Sequence, residues 1–130
     1  MKAILLAILI TTILVTGTIF FTRTRINPND LTATVNNVSI VDGMQIIEIR
    51  ARGGYAPQTT IAKAGIPTVI RVRTKGTFDC SSSLVIPAIG YRNNLPMTGT
   101  TDIPVPTQSA GMELQGLCGM GMYNFLITFN

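Results

Sequence analysis

The sequence contains no histidine and no tryptophan, and only 12% of its residues are charged. The missing imidazole excludes a Ser-His-Asp triad, a His-ligated zinc, a haem on a proximal His and a two-His blue-copper centre. Any metal chemistry must therefore use sulfur or oxygen donors. Low charge with 46% hydrophobic residues excludes a disordered chain. One long apolar run excludes a multi-span membrane protein. At 130 residues there is room for one small domain and an appendage. No paired carboxylates or nucleophile–base pair occur in one motif, so the chain does not read as an enzyme.

What is there falls into three parts. Ala3 to Phe21 is a run of nineteen residues without a charge, preceded by Lys2 and followed by Arg23 and Arg25. As a helix it would reach ~28 Å, about one hydrocarbon thickness. The run predicts an uncleaved N-terminal transmembrane helix within residues 1–25. Val15-Thr16-Gly17 is a poor signal-cleavage site, with bulky Ile19, Phe20 and Phe21 behind it. Residues 26–33 read as a polar linker, and residues 34–130 as the body. A short anchor ahead of a β domain predicts a body on the extracytoplasmic side. The body holds seven basic residues against six acidic ones in residues 26–130, so it offers no basis for a nucleic-acid partner. Arg50, Arg52, Arg71 and Arg73 alternate and predict the solvent face of two strands.

After the linker the hydrophobic period becomes two. Asp42-Gly43 marks a hairpin, and Gln45 to Arg52 reads as its returning strand. Further strands are expected at Thr59–Lys63, Thr68–Thr74, Ser83–Ile86, Thr100–Val105, Gly111–Leu117 and Tyr123–Phe129. Pro87 to Gly99 reads as a long crossing, with Tyr91-Arg92-Asn93-Asn94 as an exposed turn. About eight short strands separated by Gly or Pro turns predict an all-β Greek-key sandwich. Asn37-Val38-Ser39 fits the N-glycosylation acceptor pattern.

The chemistry concentrates in two stretches. Phe78-Asp79-Cys80-Ser81-Ser82-Ser83 holds one of the two cysteines. Cys118-Gly119-Met120-Gly121-Met122-Tyr123 holds the other. A thiolate with two thioethers at alternate positions is a soft donor set suited to Cu(I). Flexible methionine fillers beside a glycine bulge would give the same letters. Met97 and Met112 read as ordinary loop or core methionines.

Several pieces in order carry a family likeness. They are Gly54-Tyr55-Ala56-Pro57, Ala64-Gly65-Ile66-Pro67, Cys80 through Gly90, Gly99 to Thr101, and the Cys118–Tyr123 loop. From about Tyr55 to Phe129 the chain resembles the cupredoxin-like domains of the EfeO type. More distantly it looks like the copper domain of cytochrome c oxidase subunit II. The resemblance implies a cupredoxin-like fold with copper at one end. It puts Cys80 at the usual first His, Cys118 at the thiolate, and Met120 and Met122 in the stretch that supplies the second His and the axial Met. Sulfur fills both His positions, which is incompatible with a blue-copper site. A binuclear oxidase site is excluded too, for want of a Cys-x3-Cys-x3-His loop. The implied task is holding or passing on Cu(I) at a membrane through Cys80, Cys118, Met120 and Met122, with a copper-transport or respiratory membrane complex as partner. The same topology makes a Cys80–Cys118 disulfide the competing reading, that of a stapled non-metal binding or structural domain.

Overall fold

The computed structural model describes residue 1 and residues 36–130. The expected anchor beyond Met1, the whole of the linker and the first two residues of the body lie outside the described residues. Among the described residues no helix is long and apolar enough to cross a membrane.

Ten strands form two sheets. β1 (Val38–Val41) and β2 (Met44–Ala51) make the expected hairpin. Its turn puts Asp42 at φ 50° and Gly43 at φ 78°, the left-handed pair that a two-residue hairpin requires. β3 (Tyr55–Ala56) is a two-residue strand that joins the same edge of β2 as β1. β5 (Thr68–Thr74) runs parallel to β2, and β8 (Gly99–Val105) antiparallel to β5. This first sheet has the order β1-β2-β5-β8, with β3 beside β2.

The second sheet has the order β4-β10-β9-β6-β7. Its members are β4 (Thr59–Ala62), β6 (Ser83–Ile86), β7 (Tyr91–Asn94), β9 (Glu113–Cys118) and β10 (Asn124–Phe129). β4 pairs parallel with β10, and the other pairings are antiparallel. Among the described residues the helical content is two three-residue 3-10 turns, Cys80–Ser82 and Pro87–Ile89. The all-β sandwich expected from the alternation is therefore present.

The strand count is higher than expected by two, β7 and the two-residue β3. The segment read as a crossing contains β7, and Tyr91–Asn94 is an edge strand rather than an exposed turn. Pro87–Ile89 turns the chain, and Tyr91 returns opposite Ile86. Arg92, Asn93 and Asn94 are exposed, so no apolar alternation signals a strand there. Polar residues of this kind blunt an edge.

The core follows the period of two. Ile47 and Ile49 from β2, Ile70 and Val72 from β5 and Ile103 from β8 face Leu84, Ile86, Leu114, Phe125, Ile127 and Phe129 across the sandwich, all fully buried or nearly so. Phe125 meets Tyr55 edge-on, with ring centroids 5.3 Å apart. Gln45 is buried yet satisfied. Its amide donates to the Lys63 carbonyl and Thr68 Oγ1 and accepts from Lys63 N–H. Asn37, the residue of the acceptor pattern, spends its side chain internally, donating to Glu48 O and Thr60 Oγ1.

The outer face of the first sheet carries the arginines. Arg71 makes a two-pronged pair with Asp102 across β5 and β8. Those bonds hold the Asp102 carboxyl below the usual carboxylate range. Arg73 reaches Glu48 at 2.8 Å.

Candidate metal centre

Two loops bring the cysteines together at one end of the sandwich. The first leaves β5 at Thr74 and closes into the 3-10 turn at Cys80. Three contacts fix its path. Thr77 donates its hydroxyl to Ala51 O, and its N–H to Met97 O. Asp79 caps the turn, accepting from the Ser81 N–H at 2.8 Å and also from the Ser81 hydroxyl. The other oxygen of Asp79 accepts the Gly53 N–H at 2.8 Å. The Ser81 hydroxyl bond, then the Gly53 and Ser81 backbone bonds, hold the Asp79 carboxyl below its ordinary value. Asp79 therefore ties the Cys80 turn to the Gly53–Gly54 loop, with both of its carboxylate oxygens engaged.

The second loop joins β9 to β10. Cys118 N–H donates to Tyr123 O and Gly121 N–H to Cys118 O, closing a tight turn. Gly121 sits at φ 72°, where a side chain would be strained. Gly119 is needed for space instead. A Cβ there would stand 2.8 Å from Ser83 Oγ, and its N–H reaches Ser83 O at 2.9 Å. The two glycine spacers thus have different causes.

Cys118 lies opposite Leu84 in the β6–β9 ladder and is only 2% exposed. The turn ahead of β6 curls Cys80 back over it. Their Cα atoms are 5.7 Å apart and the two sulfurs form a disulfide, although 38 residues separate them in sequence. Tyr123 N–H points at Cys118 Sγ at 3.3 Å. The Tyr123 ring covers Gly54, which lies 3.5 Å from it when given a Cβ.

The methionines differ sharply from the cysteines. Met120 is 80% exposed and Met122 63%. They are not core fillers, so one of the two readings left open by the sequence falls. Among the described residues no three Cys, Asp or Glu side chains converge. Once the disulfide is reduced, two cysteine sulfurs would join the thioethers of Met120 and Met122 at this end, and that donor chemistry fits a soft monovalent ion better than a hard one. Met97 is at the same end, through its carbonyl bond to Thr77, and Met112 is at the other, its carbonyl bonded to Phe129 N–H.

Tyr55 was legible as part of the resemblance but not as a support for this end. It is buried, stacks on Phe125 and donates its hydroxyl to Ser83 O at 3.4 Å. Burial, with a smaller push from Asp79, raises its phenol to about 12. The Asp79 brace was also missed. The Asp-x-Ser spacing at 79–81 is a capping signal that could have found it.

No protein-family model matches the chain, and no curated protein matches it either. Solved structures do. One is the solution structure of a copper-binding protein in the apo form, at 28% identity and a TM-score of 0.65, covering 72% of this chain and 94% of that one. Another is the metal-binding domain of the Streptococcus pneumoniae D39 Cu(I)-exporting P-type ATPase CopA, determined with Cu(I). It is similar at 24% identity and a TM-score of 0.63, covering 72% of this chain and 92% of that one. The β sandwich is thus a fold shared with copper-binding domains, and it accounts for nearly the whole of each.

Proposed function

We propose that this chain is a membrane-anchored, extracytoplasmic, cupredoxin-like domain that holds Cu(I) for handling or transfer, and that it is not an enzyme. The observation that carries the reading is the meeting of Cys80 and Cys118 beneath a loop presenting Met120 and Met122. The 28% identical neighbour is a copper-binding protein, which supports the same reading. In the reduced protein the two thiolates supply charge and most of the affinity. The neutral thioethers select a soft d10 ion. Tyr123 N–H, already aimed at Cys118 Sγ, favours the thiolate form by donating to it. Transfer of the ion to a copper-transport or respiratory membrane partner is aided by the exposure of both methionines.

The disulfide favours a second reading, a stapled domain with no metal. Closing a loop of 38 residue steps stabilises the fold by about 4 kcal/mol in the chain-entropy picture. One comparison separates the two. Reduced and oxidised protein are each titrated against a Cu(I) chelator, with alkylation and mass measurement counting free thiols. Copper handling requires that the reduced form takes Cu(I) from the chelator and the oxidised form does not. A reduced form that takes none leaves the stapled domain.

A further inference from the structure

The second candidate site lies on the outer face of the first sheet, beside the sulfur end. Arg50, Arg52, Arg73 and Lys75 line one open groove of about 670 Å³, together with Thr98 and Thr100. No acidic residue lines it. The parallel register puts Arg50 directly opposite Arg73, and Ala51 opposite Thr74. Arg52 and Lys75 stand just beyond that last pair, so the four cations form a two-by-two block. Like charges facing each other across a ladder repel. Arg73 relieves this by turning to Glu48. Among the described residues no carboxylate pairs with Arg50, Arg52 or Lys75. Four of the body's seven basic residues are thus gathered in one concavity of a nearly neutral body.

Two further features give the groove a rim and a direction. Phe78 is 78% exposed and Met97 56%. They belong to the two loops that carry Lys75 and Thr98, and those loops are bonded to each other through Thr77 N–H and Met97 O and through Gly76 N–H and Thr98 Oγ1. Exposed apolar side chains beside a cationic hollow are what an interfacial lipid site needs. β1 runs antiparallel to β2, and Asn37 O takes the Glu48 N–H, which sets Asn37 level with Glu48, two residues from Arg50 along β2. The segment upstream includes the apolar Ala3–Phe21 run.

We propose that this groove binds the phosphate headgroups of anionic lipids and docks the sulfur end of the domain on a membrane surface. The choice of a lipid surface over an acidic protein rests partly on the anchor reading. The site itself rests on the four cations.

The test uses the body from residue 27, metal-free and with its disulfide closed, so that it succeeds or fails independently of both copper and the anchor. The solved copper-binding protein is matched over 94% of its length by this body, so the fold stands without an N-terminal extension. The body should co-sediment with vesicles of phosphatidylglycerol and phosphatidylcholine at about 0.1 M salt, but not with phosphatidylcholine alone. Arg50→Glu with Arg52→Glu should lower partitioning about tenfold or more, and Arg50→Gln with Arg52→Gln should lower it less. Lys63→Glu with Arg92→Glu makes the same change in net charge away from the groove and should cost less than threefold. Thermal melts show that each variant is folded. Equal losses in both charge-reversed pairs, or no preference for anionic vesicles, overturn the proposal. So does groove-dependent binding of a polyglutamate peptide without vesicle binding, which would give the site to an acidic protein.

Discussion

The two loops that meet at the sulfur end are built on opposite plans. The Cys80 loop is fixed by side chains. Asp79 grips both the turn and the Gly53–Gly54 loop, and Thr77 is bonded to Ala51 and Met97. The Cys118 loop is fixed at its base by backbone bonds and otherwise holds its methionines out in solvent. One arm offers a donor whose position is set before any ligand arrives. The other offers thioethers that project into solvent. A site for holding an ion tightly has no use for exposed arms, whereas a site that must accept and release one does.

Substitutions can sharpen that contrast. The largest effect is expected at the cysteines. Cys118→Ser should lower Cu(I) affinity of the reduced protein by orders of magnitude in a chelator competition, because it removes a charged donor. Met122→Leu should lower it by about tenfold or less, since a neutral thioether with a neighbouring Met120 is replaceable. Equal losses would mean that the two kinds of donor are not distinct.

A smaller effect, on stability, is expected beneath the methionine-bearing arm. A Cβ at Gly116 would stand 2.2 Å from Phe125 Cε1 and Cζ. Phe125 is wedged against Tyr55, whose hydroxyl reaches Ser83 in the wall of the site. Gly116→Ala should therefore destabilise the domain by about 1–3 kcal/mol, read by denaturant midpoint. A neutral outcome would show that the wall is softer than its packing implies.

The smallest effect concerns pH. The Tyr55 phenol is raised to about 12 by burial and then by Asp79, against roughly 10 in an unfolded chain. The stability linked to its neutral form is present in full below about pH 10 and is lost as pH rises toward about 12. Tyr55→Phe should flatten that alkaline decline in melts taken across the range. An unchanged decline would assign it to other groups.

Much of the sandwich was legible because alternation is a local property. QIIEIRA and TVIRVRT alternate, and both are strands with the expected faces. The Asp42-Gly43 turn was legible for the same reason. β7 was not, because its exposed polar residues carry no burial pattern, and β3 was not, because two residues show no period. The four sulfur residues could be named from sequence, and the approach of Cys80 to Cys118 came from the likeness to cupredoxin-like domains rather than from any local signal. The basic groove was half visible. The arginines alternate in the sequence, but only the parallel register of β2 and β5 turns two stripes into one concavity.

The position of β10 has its own consequence. It lies between β4 and β9, and Asn130 N–H bonds Ala62 O while Asn130 O takes Ala64 N–H. The second sheet is therefore split until the final seven residues are available. β10 is thus the one strand whose removal would leave β4 unpaired and open the β9 edge at the same time.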